Sequence, residues 1–235
     1  MNTLKPFKTL FYITTLLISG FSLTSCLDTD DPTVEYTPVS FIAIYQGVPD
    51  LEVEIELDSQ TITTNALDYE VYTNYYSYPV GQRNFKFESE SGDSLAYISY
   101  RFEENYYYSI FLSGTDSTVR PVLTRDTPLS SLENDAAVRF VNLSPDAQPI
   151  GLRVRDAESN LFSYSPFRTV TSFSEITAAP TVFELVNTEG EVLAYSTSKR
   201  LNMGQYYTII AQGYAEPADG QPDLKIKIIS NSNSN

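Results

Sequence analysis

Five tyrosines crowd into ten residues, Tyr69-Glu70-Val71-Tyr72-Thr73-Asn74-Tyr75-Tyr76-Ser77-Tyr78. On an extended strand Tyr72, Tyr76 and Tyr78 share one face, and Tyr69 and Tyr75 the other. A tyrosine offers a broad apolar plate and a hydroxyl at low entropic cost, which suits contacts to a glycan or a protein. It is also a good strand residue, and such rings cover cores and domain junctions. The two roles differ in exposure. Tyr72, Tyr75, Tyr76 and Tyr78 are the candidate ligand-binding residues if a face of the strand is open, and packing residues if it is closed.

Other chemistry is thinly represented. The chain has no His and one Cys, so Ser-His-Asp and Cys-His relays, His or thiolate metal sites and internal disulfides are excluded. Glu52, Glu54 and Glu56 form an acidic row, but residues two apart on a strand face lie roughly 7 Å apart, too far to share one ion. No Asp-x-Asp-x-Asp-Gly loop, phosphate loop or nucleophile elbow occurs. Nothing marks a pair among the 30 acids for glycoside hydrolysis. The reading is a non-catalytic protein with no metal and no cofactor.

The lone Cys26 sits where chemistry of another kind is expected. Lys5 and Lys8 precede an apolar run from Leu10 to Leu23. As a helix it would span roughly 21 Å, short of the roughly 30 Å of bilayer hydrocarbon, so it reads as a signal-peptide core. The run ends in Leu23-Thr24-Ser25-Cys26, which resembles the lipobox of bacterial lipoprotein precursors. That resemblance implies lipid attachment at Cys26 after removal of residues 1–25. The partner is then a membrane, reached through the acyl anchor. Residues 26–35 read as an acidic tether; Asp28, Asp30 and Asp31 resemble the acidic stretch after the lipidated Cys of Bacteroidetes surface lipoproteins. The implied place is the outer membrane, on the cell surface, with a periplasm-facing anchor as the alternative. The net charge of −15 becomes −17 once Lys5 and Lys8 are removed. Such a surface repels phosphate backbones, so nucleic acid is not an expected partner.

The rest of the chain repeats itself at a spacing of 98–99 residues. Val39-Ser40-Phe41-Ile42 matches Val138-Arg139-Phe140-Val141, Leu95-Ala96-Tyr97 matches Leu193-Ala194-Tyr195, and Tyr107-Tyr108-Ser109-Ile110 matches Tyr206-Tyr207-Thr208-Ile209. The expected organisation is a first repeat over 36–125, a polar linker over 126–135, a second repeat over 136–230 and a frayed tail over 231–235. Phe41 should superpose on Phe140, and Tyr108 on Tyr207. Within each repeat, apolar residues alternate with polar ones: Leu51, Val53, Ile55 and Leu57 with Glu52, Glu54 and Glu56, and Leu224, Ile226 and Ile228 with Lys225 and Lys227. Arg153 and Arg155 fall where Glu54 and Glu56 stand in the first repeat. Period-two patterns, Gly-containing turns and no helical period predict an all-β chain of two tandem immunoglobulin-like β-sandwich domains, with a small closed barrel as the alternative.

Ala137-Val138-Arg139-Phe140-Val141-Asn142-Leu143-Ser144-Pro145-Asp146-Ala147 resembles the opening of the family called domain of unknown function 4397, in which a strand runs into a Ser-Pro-Asp-Ala turn. Tyr207-Thr208-Ile209-Ile210-Ala211-Gln212-Gly213 resembles its late strand ending in Gly. The resemblance covers nearly all of the second repeat. The first repeat departs at the turn, with Gln46-Gly47-Val48-Pro49. The family implies secreted or anchored β-sandwiches, often in tandem, and supplies no catalytic residues. The expected function is binding, adhesion or a structural role in the cell envelope. The alternative is a glycan-binding accessory lipoprotein using the tyrosines of the first repeat.

Overall fold

The computed structural model describes residues 36–115 and 117–231. The expected signal peptide, the tether with Cys26, and residues 232–235 lie outside them. The described residues contain strands, turns and no helix.

In the first repeat the strands are β1 (Val39–Gln46), β2 (Val53–Leu57), β3 (Gln60–Thr61), β4 (Tyr76–Pro79), β5 (Gly81–Ser89), β6 (Ser94–Phe102), β7 (Tyr107–Ser113) and β8 (Arg120–Arg125). They form two sheets, ordered β4-β1-β7-β8 and β3-β2-β5-β6. The second repeat has β9 (Asp135–Asn142), β10 (Ile150–Val154), β11 (Phe162–Ser165), β12 (Thr169–Val170), β13 (Ser174–Thr177), β14 (Pro180–Thr181), β15 (Phe183–Val186), β16 (Val192–Tyr195), β17 (Lys199–Arg200), β18 (Tyr206–Gln212) and β19 (Lys225–Ser230). Its main sheets run β12-β9-β18-β19, with β13 also on β9, and β11-β10-β15-β16. The chain is all-β, and each repeat is a sandwich of two sheets.

The alternating strands behave as their pattern dictates. Val53, Ile55 and Leu57 turn inward onto Phe85, Phe87, Ile42, Ile44 and Ile110. Their counterparts Ile150 and Leu152 pack with Phe183, Leu185, Val138, Phe140 and Ile209. The acidic row is not a cation site. Glu56 stands opposite Lys86 on the neighbouring strand, and Arg153 stands opposite Glu184. These are equivalent cross-strand pairs with the charges exchanged, at 3.7 Å and 2.7 Å. Arg153 therefore corresponds to Glu56, not to Glu54, and the charges are paired within each sheet instead of between the repeats.

Four strands depart from alternation, and the topology explains why. β1 and β7 run parallel, as do β9 and β18. Both pairs read as nearly continuous apolar runs because both faces are covered. One face fills its own sandwich. The other faces meet each other, where Tyr45, Phe111, Val141, Leu143, Ile210 and Ile229 form a third core between the repeats. The two sandwiches are stacked, four sheets deep.

The register corrects one expectation. Tyr108 and Tyr207 are equivalent: each hydroxyl accepts a hydrogen bond from the backbone N–H five residues earlier, Glu103 at 3.2 Å and Asn202 at 3.1 Å. Tyr108 lies beside Ile42, and Tyr207 beside Val138. Phe41 therefore sits over Ala137, and Ile44 over Phe140. Phe41 faces away from the core that buries Phe140. The matched Phe letters sit three residues out of step, because the second repeat is one residue longer in each of three connections between β1 and β7, so the spacing grows from 96 to 99 along the repeat. The same register places Val48-Pro49-Asp50 on Ser144-Pro145-Asp146. Gln46 Oε1 accepts the Val48 N–H at 2.8 Å, as Asn142 Oδ1 accepts that of Ser144 at 3.0 Å. The turn thus opens alike in both repeats and then diverges at Asp50, which lies at φ 56°.

Gly114 and Gly213 close equivalent strands at φ 125° and 81°. A Cβ there would meet backbone oxygens at 2.1 Å and 2.2 Å. Gly213→Ala is expected to cost about 2 kcal/mol or more, from positive φ and steric clash together. Gly190→Ala, at φ 85° with nothing within 4 Å, should cost about 1 kcal/mol. Urea melts of the two variants check the difference.

Candidate functional site

The repeats differ beside β2. In the second repeat Leu161 donates its N–H to Leu152 O at 2.8 Å, and the next residue, Phe162, stacks on Phe140 with centroids 6.5 Å apart. In the first repeat Ile62 makes the same bond to Ile55 O at 2.9 Å. Thr63 thus occupies the place of Phe162, and Ile44 that of Phe140. Two aromatic side chains have become a threonine and an isoleucine. The Thr63 hydroxyl accepts the Ile55 N–H at 3.2 Å, so it is turned to the strand and not into the space.

Beside these smaller residues lies a cleft of about 580 Å³. Its floor is Ile44, Ile55, Ile62 and Leu67. Its polar lining is Thr63, Thr64, Asn65, Thr73, Asn74 and Ser77, and its aromatic lining is Tyr72, Tyr76 and Tyr78. No lining residue carries a formal charge, in a chain with 30 acids. Leu67 is pinned by reciprocal bonds with Val53 at 2.8 Å and 3.0 Å. Thr73 Oγ1 accepts the Ile44 N–H at 2.9 Å. These bonds hold the cleft wall on the sheets.

The four candidate tyrosines are therefore divided. Only Tyr76–Pro79 is strand; Tyr72 makes an isolated bridge to Tyr45, and Asn74 at φ 58° bends the chain between them. Tyr76 is 58% exposed. Tyr78 is half-buried, its ring edge-on to Phe85 at 6.0 Å. Tyr72 is half-buried at the contact between the repeats. Burial pushes the hydroxyls of Tyr72 and Tyr78 up to about 12, so both remain protonated donors at neutral pH. Tyr75 faces elsewhere. Its hydroxyl donates to Asp126 Oδ2 at 2.5 Å and accepts from Asn231 Nδ2 at 3.1 Å. Burial and the Asp126 charge push it far above the ordinary tyrosine range.

Asp126 and Arg139 are the residues that sequence reasoning missed. Arg139 is 1% exposed and Asp126 8%. Arg139 Nη1 pairs with Asp126 Oδ1, Nη2 donates to Ser109 Oγ at 2.9 Å, and Nε donates to Thr208 Oγ1 at 2.8 Å. The guanidinium lies 4.7 Å from the Phe173 ring centroid. Equivalent positions are Asn231 for Asp126 and Ala43 for Arg139, so the pair exists once, across the junction. Around it the contacts are reciprocal, as in a twofold dimer. Glu70 reaches Lys225 and Lys227 of the second repeat, and its equivalent Arg168 donates to Ser113 of the first at 3.0 Å. Burial alone would raise the Glu70 carboxyl, but hydrogen bonds and charge from the two lysines hold it below its ordinary value. The signal in the sequence was a single Arg within an otherwise apolar strand.

The model of the family described as Domain of unknown function (DUF4397) matches residues 40–153. The match covers the first repeat, the linker and the second repeat as far as Arg153, whereas the resemblance was read mainly on the second. No curated protein matches the chain.

Proposed function

We propose a function for this chain, which belongs to the DUF4397 family over residues 40–153, from its site: a non-catalytic lipoprotein of the cell envelope that binds a neutral glycan in the cleft of its first repeat. One observation carries the reading. The cleft combines tyrosine rings with hydroxyls and amides and has no charged residue, although the chain bears a net charge of −15. Ring faces suit the C–H face of a sugar, and Thr, Ser and Asn side chains suit its hydroxyls. An anionic ligand would be repelled by the molecule as a whole. The second repeat, with Phe162 in the equivalent space, serves as the supporting half of the pair.

An oligosaccharide array of neutral and anionic glycans tests the ligand class. Hits are expected among neutral glycans alone; hits confined to sulfated or uronic-acid glycans, or none, count against the reading. Tyr76→Ala removes one exposed ring. It should weaken binding roughly tenfold, on the scale of about 1–3 kcal/mol measured for stacking on aromatic side chains, with little change in stability. Attachment is tested separately. Cys26→Ala should lose acyl labelling and leave the membrane fraction, and its retention there would contradict a lipid anchor.

A further inference from the structure

We infer that the ligand is an oligomer longer than the first cleft can hold, and that a second subsite, formed jointly by both repeats, binds a further unit of it. The inference rests on the glycan reading of the cleft. Its basis is an aromatic cavity of about 340 Å³ at one end of the junction. Tyr75 and Tyr107 of the first repeat line it, their rings edge-on at 5.1 Å. So do Phe173 and Tyr206 of the second, edge-on at 5.0 Å. The pairs occupy equivalent positions, so the cavity exists only when the repeats are stacked. Here the two aromatic corners stand apart, in a space larger than the roughly 90 Å³ cavity that Thr124, Arg139 and Thr171 line elsewhere at the junction.

The cavity adjoins the cleft. Tyr72, which lines the cleft, meets Tyr75, which lines the cavity, at 6.4 Å and 88°. Asn231 Nδ2 lies 3.1 Å from the Tyr75 hydroxyl and 3.5 Å from that of Tyr72. Asn74, exposed between the two rings in sequence, is the crest over which a ligand would pass. The chemistry also matches. Asp126 lies in the cavity lining, but its charge is compensated by Arg139 and both its oxygens already accept hydrogen bonds. A cation would gain little from a carboxylate already paired, and would lie near a buried guanidinium. A neutral unit stacked on the rings meets no such opposition, and Gln205 offers an amide at the rim. Two subsites for one polymer raise affinity because the second contact is made within the same complex.

The test uses the unbranched neutral oligosaccharide giving the strongest array signal, from disaccharide to octasaccharide, measured by calorimetry on the detergent-solubilised full-length protein. Affinity is expected to rise at least tenfold with length. Gln205→Trp, which obstructs the cavity rim, and Phe173→Leu, which removes one ring, should each lower octasaccharide affinity about tenfold and leave the disaccharide unchanged. Thermal midpoints accompany each variant. Gln205→Trp adds a side chain instead of deleting one, so it stays informative should Phe173→Leu unfold. Length-independent affinity, or full octasaccharide affinity in a folded Gln205→Trp, overturns the second subsite and leaves the cleft reading intact. Absence of binding by the wild type to every glycan overturns both.

Discussion

Thr63→Phe is expected to weaken ligand binding strongly while leaving the protein about as stable as the wild type. The second repeat shows that this backbone accepts Phe at that position, where Phe162 packs beside Phe140. Burying much of a Phe side chain contributes about 1.5–3 kcal/mol. Against it stands the loss of the acceptor for the buried Ile55 N–H, which costs about 1–3 kcal/mol. Overpacking strain should be small because the cleft already has about 580 Å³. The two nearly offset, so the thermal midpoint should stay within a few degrees of the wild type, at roughly 2–4 °C per kcal/mol for a chain of this size. The added ring fills only part of that volume, but it would cover the Ile44 floor, as Phe162 covers Phe140 in the second repeat. Thr63→Ala loses the same hydroxyl and keeps the cleft, so it should bind. Binding by Thr63→Phe at wild-type strength would place the ligand elsewhere.

Arg139→Ala is expected to be the most destabilising single change at the junction. It leaves the Asp126 carboxylate buried with hydroxyl donors alone, from Tyr75 and Ser109. Breaking a buried ion pair by removing one partner costs about 3–5 kcal/mol, which is roughly 10 °C in thermal midpoint. The protein supplies the control in its own symmetry. The positions equivalent to Arg139 and Asp126 are Ala43 and Asn231, a neutral combination. Asn231 is fully engaged there, accepting from Thr208 Oγ1 at 2.7 Å and donating to Tyr75. Arg139→Ala with Asp126→Asn should therefore be more stable than Arg139→Ala alone. Additive losses in that double variant would show that the pair matters through packing and not through charge.

Much of this was legible in the sequence. Period-two alternation marked β2 and β19, and Gly-rich turns separated the strands, because a half-buried strand has one apolar and one polar face. The duplication was legible for the same reason. What alternation could not convey was the stacking of the repeats. β1, β7, β9 and β18 carried that information as continuous apolar runs, the mark of strands covered on both faces. Arg139 in such a run and Asp126 at a strand end were polar residues without a local reason. Their reason is a partner in the other repeat. The tyrosines were legible as unusual but not as divided, because a strand was assumed over the whole stretch. Asn74 and Glu70, both at positive φ, break it. The cleft itself could be read only by comparing Thr63 with Phe162, which requires the register that the strands supply.

Hydrogen exchange of the protein with and without its strongest neutral-glycan hit tests the central claim most directly. Protection is predicted across Ile62 to Tyr78, and not across the equivalent Leu161 to Ile176 except around Phe173. Equal protection in both repeats, or protection confined to residues outside the first repeat, would contradict a ligand seated in the cleft that Thr63 leaves open.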